Sequence, residues 1–145
     1  MANRKIEFRG MRKTDTDRWA YGSSVKIAQY AFIVPSDAFL CEDEYGDLSI
    51  KDFVEVIPET VGQYTGLKDE AGVKIFEDDV VSGNERFGFR HNVKGVARYQ
   101  GLAFSFIGKQ GDGSEWFYTI TSDFKKDNLI EVIGNIHDTP SLLER

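Results

Sequence analysis

The chain carries a single cysteine, Cys41, so no internal disulfide can form and a reducing cytoplasm is the expected compartment. No nucleophile signature surrounds Cys41, which is expected to be a small core or surface residue. His91 has no neighbouring His or Cys and is expected to be a loop histidine rather than a metal ligand. No apolar run approaches the roughly 18 residues of a membrane helix. The basic start, Met1 to Arg9, is not followed by the apolar core of a signal peptide. Only 3 prolines interrupt the chain, which argues against a disordered protein. Positive charge is also short: 18 Lys and Arg against 24 Asp and Glu give a net charge of −6. That balance disfavours non-specific nucleic-acid binding, which rests on neutralising phosphates.

What is present is a β-type chain. The 11 Phe and 6 Tyr are plentiful, and aromatic residues favour strands. At 145 residues the chain fits one domain, taken here as 1–145, that buries roughly two-thirds of its unfolded surface. Arg4 to Met11 alternates, with Ile6, Phe8 and Gly10 on one face and Lys5, Glu7 and Arg9 on the other. A polar turn, Lys13 to Asp17, leads to a returning strand at Trp19 to Ser23, so the two are expected to pair. Val25 to Val34 suggests a second hairpin or an irregular pair closed by Pro35. Ser36 to Phe39 suggests a short turn capped by Ser36. Glu42-Asp43-Glu44 lacks the spacing of an EF-hand and is expected to be a solvated loop. Tyr45 to Asp47 is a turn, and Asp47 to Val56 is expected to re-enter a strand. Gly95 to Tyr99 and Ala103 to Ile107 form a hairpin pattern, and Trp116 to Ile120 a further strand. Gly108 to Gly113 lacks the Ser or Thr of a phosphate loop and is expected to be a hairpin tip. Asp123 to Asn128 is a polar corner. Thr139 to Glu144 has the N-cap and N1 proline of a short helix.

The densest signals lie in Phe53 to Val81. Val54 to Ile57 alternates as a half-buried strand, and Pro58 stops it. Glu59 to Gly62 can make one helical turn, with Gly62 ending it in the left-handed region. Gln63 to Gly66 is extended, Lys68 to Gly72 is a polar turn, and Glu77-Asp78-Asp79 turns the chain into Val80-Val81. The turn, strand, acidic turn and strand of Val73 to Val81 suggest an SH3-like segment. The fold expected is therefore mostly β: a small barrel-like antiparallel architecture with short helical turns near 58–62 and 139–144. The tripeptide Glu-Val-Ile occurs at 55–57 and again at 131–133, by coincidence or as related places in a pseudo-symmetric barrel.

The stretch VIPETVGQYTGLKDEAGVKIFEDDVV resembles the signature of the YopX family of phage and prophage proteins. Arg4 to Arg9, Trp19 to Ser23 and Glu131 to Asp138 resemble its first, second and last strands. The family usually has Glu-Gly-Asp before the strand that ends in Val, whereas Asp78 stands here in the glycine position. A turn that needs a positive φ there is strained by Asp, though Asp tolerates the left-handed region better than most residues. The resemblance implies a mostly β fold and a phage origin, and no chemistry.

No residue pattern points to catalysis, a cofactor or a metal. Glu77, Asp78, Asp79, His137 and Asp138 have the right chemistry for acid–base work, but no spacing links them. The expected function is that of a non-catalytic accessory protein acting through self-association or through a host or phage protein. A nucleic-acid-binding barrel is the alternative, with Tyr64, Phe104 and Phe106 stacking bases. The basic cluster of Arg4, Lys5, Arg9, Arg12, Lys13 and Arg18 is either a solvated strand face or an anion-contacting edge. The residues expected at an interaction surface are Arg4, Arg9, Arg12, Tyr64, Asp79 and His137. Asp79 and Thr60 are expected to hydrogen-bond nearby backbone N–H groups.

Overall fold

The computed structural model describes residues 6–16, 18–83, 93–100, 103–109, 115–119 and 130–139. The chain divides into two compact units, Met1–Gln63 and Tyr64–Arg145. In the first unit β1 (Phe8–Met11) pairs antiparallel with β2 (Trp19–Ile27), and β2 with β3 (Tyr30–Pro35). A small ribbon follows, β4 (Leu40–Glu42) and β5 (Leu48–Ile50), and then β6 (Val54–Val56) returns beside β3. Alternation along β3 turns Ala31 and Ile33 inward, where they pack with Ala20 and Val56 against Phe8, Val54 and Val61. Full burial of a side chain such as Ile33 contributes about 1.5–3 kcal/mol.

The two pieces expected at 19–23 and 25–34 are in fact one long strand, β2, and its return. Ser23-Ser24 breaks the apolar pattern without breaking the strand. Gly22 lies opposite both Phe8 and Pro35, and a Cβ there would stand 2.0 Å from the Val34 carbonyl oxygen. Backbone that close leaves glycine as the one residue that fits.

Pro58–Thr60 forms a 3-10 turn, the one helical turn among the described residues. Thr60 fixes it: its hydroxyl donates to the Ile57 carbonyl at 2.6 Å and accepts from the Met11 N–H at 2.9 Å. The turn ends at Val61 in extended conformation rather than at Gly62. Gly62 already pairs with Arg9 as the first residue of β7 (Gly62–Lys68).

The second unit takes the rest of β7 together with β8 (Lys74–Phe76). It also holds a five-stranded antiparallel sheet of β9 (Asp79–Gly83), β10 (Val93–Gln100), β11 (Ala103–Lys109), β12 (Glu115–Thr119) and β13 (Glu131–Asn135). Their order is β12-β11-β10-β9-β13, with a bulge between Val132 and Gly134. Ile75, Val81, Ala97, Phe106 and Ile130 form the core, with Leu67 and Val132 packed on it. Val80 and Val81 point to opposite faces and are both buried, so β9 is covered on both sides.

Among the described residues the expected barrel is not formed, and neither is SH3-like closure. In the first unit the end of β1 folds onto β6: Ile57 N donates to Met11 O at 2.9 Å and Lys13 N to Glu55 O at 3.2 Å. Arg12 and Val56 make a single isolated bridge rather than a ladder, so the sheet stays open. In the second unit Val73 to Val81 feeds a strand inside an open sheet. A period of two with short turns specifies strands, but not whether the first and last of them meet. With no barrel, the pseudo-symmetric reading of the two Glu-Val-Ile tripeptides falls as well.

The helix expected at 139–144 lies outside the described residues beyond Thr139. So do Arg4, His91, the 110–113 part of the glycine-rich tip and the 123–128 corner. Among the described residues, no helix is long and apolar enough to cross a membrane.

Candidate functional site

The densest polar cluster sits at the turn from β8 to β9. Asp78 holds φ 71°, the left-handed conformation anticipated for a residue in a glycine position. Its N–H donates to the Ala97 carbonyl at 2.8 Å, and its own carbonyl accepts from Ile136 N at 3.0 Å. One carboxylate oxygen accepts from Arg98 Nη1, and the other from His137 Nε2 at 2.8 Å. Asp79, 2% exposed, accepts from Phe76 N at 2.8 Å and from Asn135 Nδ2 at 3.3 Å. Asn135 Oδ1 in turn accepts from His137 N at 2.8 Å. Asp79 thus binds a backbone N–H as expected, and Asn135 joins it to His137. The pairing of Asp78 with His137 was not legible in the spacing. Both Asp78 oxygens are committed to these partners, and no group of three or more His, Cys, Asp or Glu gathers at metal-binding distance among the described residues. The cluster clasps a turn, β10 and the segment after β13; it presents no nucleophile beside the histidine.

A second carboxylate does similar work on the polar turn after β7. Asp69 accepts from Ala71 N and Val73 N, both at 2.9 Å, and from Val132 N at 3.0 Å. The Asp69 to Gly72 turn chemistry was the available signal; its reach to β13 was not.

The other anticipated surface residues are mostly covered. Arg9 is buried, with its guanidinium 4.2 Å from the Trp19 ring centroid. Arg12 is half-buried at its bridge to Val56. Lys13 pairs with Glu55 at 2.7 Å and lies 5.7 Å from the centre of the Tyr30 ring. The hydrogen bond to Glu55, then its charge, raises the Lys13 pKa above the ordinary lysine value. Tyr64 is buried against Phe76, with ring centroids 5.5 Å apart.

Several large apolar side chains are exposed, and four of them, Phe39, Leu40, Tyr45 and Leu48, gather on the β4–β5 ribbon of the first unit. Leu40 faces Ile50 and Glu42 faces Leu48, so all four side chains share one face. Leu40 is 60% and Leu48 65% exposed, with Phe39 and Tyr45 exposed beside them. The acidic loop at the tip is built on Asp43, whose carboxylate accepts from Tyr45 N at 2.8 Å and Asp47 N at 2.9 Å. At the base Asp52 accepts from Phe39 N at 3.0 Å. The backbone bonds Asp43 N to Asp47 O and Lys51 N to Phe39 O mark the hydrogen-bonded pairs. By alternation the N–H and C=O groups of Leu40, Glu42, Leu48 and Ile50 point outward along the ribbon edges. The one strand expected from Asp47 to Val56 is broken into β5 and β6, and three residues per strand are too few for a period of two to show the break.

Comparison with known proteins places this arrangement. Protein EF1440 from Enterococcus faecalis shares the fold, with a TM-score of 0.60 and 19% identity over 97% of this chain and 99% of that one. No curated protein matches the chain. The YopX protein family profile matches residues 7–144, which takes in every described strand from β1 to β13, and the chain belongs to that family.

Proposed function

We propose that the protein is non-catalytic and acts by binding another protein, of the phage or its host, through the apolar face of the β4–β5 ribbon. The observation that carries this reading is the exposure of Leu40 and Leu48 on one side of a two-stranded ribbon. A ribbon of two strands is marginal by itself, and large apolar side chains left in water on it mark an interaction surface. Catalysis has no support in the clasp around Asp78, whose carboxylate oxygens are committed to Arg98 and His137. Among the described residues named for nucleic-acid binding, Tyr64 and Phe106 are buried and Arg9 lies over the Trp19 ring, which favours the protein-binding reading. The side chain of Phe104 falls outside the described set.

The test is a comparative pull-down from phage-infected cells with the parent and with Leu40→Ser/Leu48→Ser. The variant should melt like the parent, because both side chains already lie largely in water, and should lose the partner that the parent retains. Equal capture by both proteins would refute the reading.

A further inference from the structure

The charge around the ribbon says what kind of protein fits it. Between Ser36 and Phe53 stand six acidic residues, Asp37, Glu42, Asp43, Glu44, Asp47 and Asp52, against the single Lys51. This one segment therefore carries a net −5 of the chain's −6. All six acidic side chains are exposed. Asp43 and Asp52 accept backbone N–H groups, and among the described residues none of the six has an ion-pair partner. An apolar face rimmed by uncompensated negative charge is complementary to a surface that carries apolar side chains among Lys and Arg.

We infer that the ribbon takes a basic protein segment, with apolar side chains seated on Leu40, Leu48 and Ile50 and cations meeting the acidic rim. The inference rests on the proposed role of the ribbon as the binding face. The outward N–H and C=O groups along its edges let such a segment enter as an added strand. A second copy of this chain is the wrong occupant, because it would set a net −5 against a net −5 within about one Debye length, roughly 8 Å at physiological salt. Nucleic acid is repelled by the same field.

The experiment pans a random-peptide display library on the full-length protein and measures the enriched peptides by fluorescence anisotropy. The expected peptides are net positive and contain apolar residues. Their affinity should fall by about tenfold or more between low and high salt as the rim is screened. It should also fall with Glu42→Gln/Glu44→Gln and be lost with Leu40→Ser/Leu48→Ser, while circular dichroism shows that both variants keep the parent's β signal. Neutral or acidic peptides that still require Leu40 and Leu48 overturn the basic partner and leave the ribbon as the binding face. Peptides indifferent to Leu40→Ser/Leu48→Ser, or no enrichment at all, overturn both. Sedimentation equilibrium provides the last arm: a dimer dissociated by Leu40→Ser/Leu48→Ser would make the occupant a second copy and overturn the basic partner alone.

Discussion

Gly10 has no room for a side chain: a Cβ would stand 2.7 Å from Val56 Cγ2, against a valine that is itself buried. Gly10→Ala should therefore cost about 1–3 kcal/mol by overpacking. Val56→Ala should cost about 2–4 kcal/mol through the cavity it leaves. Because the added methyl of one fills the space vacated by the other, the double variant should be more stable than the two losses summed, as a double-mutant cycle in urea would show. Polar residues have equally specific tasks. Asp69→Ala removes the acceptor of three backbone N–H groups and should cost at least about 1–3 kcal/mol, with Asp69→Asn in between because it keeps one oxygen. A melt of Asp69→Ala indistinguishable from the parent would show that water replaces the carboxylate there. Ile75, wholly buried in the second core, belongs with Val56: Ile75→Ala should cost about 2–4 kcal/mol.

At the scale of elements, the turn from β8 to β9 shows where local sequence stops being informative. The positive φ at Asp78 belongs to the glycine position it occupies, but local turn chemistry alone would put a replacement at a small cost. Its partners Arg98 and His137 stand 20 and 59 residues further on, beyond the reach of any turn pattern. Asp78→Asn keeps the tolerance for positive φ and loses the charge facing both, so the expected loss is about 1–3 kcal/mol, read by chemical denaturation. Since Arg98 is nearly half exposed, the lower part of that range applies. The link between β1 and β6 has a pH signature of its own. Glu55 raises the Lys13 pKa, so the pair's contribution is full below the ordinary lysine value of 10.5 and fades as pH rises through the higher folded value. Glu55→Gln should bring the Lys13 titration back toward 10.5, measured by NMR of the lysine side chain. Strand positions were legible where alternation is local and unbroken, as at Val54 and Val56 in β6; the Ala31 and Ile33 face of β3 lay in a stretch that read only as a hairpin or irregular pair. Gly62 was misplaced because its pairing with Arg9, fifty-odd residues back, outweighed its aptitude for ending a helical turn.

At the scale of the whole molecule, composition says more about partners than about topology. The aromatic content and the absence of any long 3.6-residue period foretold a β protein, and a far-ultraviolet spectrum dominated by strand signal is expected. Sheet closure was expected and does not occur among the described residues, since it depends on whether distant edges meet, and here the contact of Arg12 with Val56 stops at one bridge. Charge carries through from sequence to surface more directly. The net −6 opposes a phosphate backbone, and two cations of the amino-terminal cluster are engaged: Arg9 lies buried over Trp19, and Lys13 is paired with Glu55. The exposed apolar ribbon, where a ligand has most to gain, lies in the most acidic stretch of the chain. Duplex and single-stranded DNA should therefore bind with dissociation constants weaker than about 1 μM at about 150 mM salt. Electrophoretic shift and anisotropy titrations check this. Sub-micromolar binding with a steep loss of affinity on added salt would mean that phosphate-contacting cations are gathered on one face despite the net charge, and would return nucleic acid to the head of the list of partners.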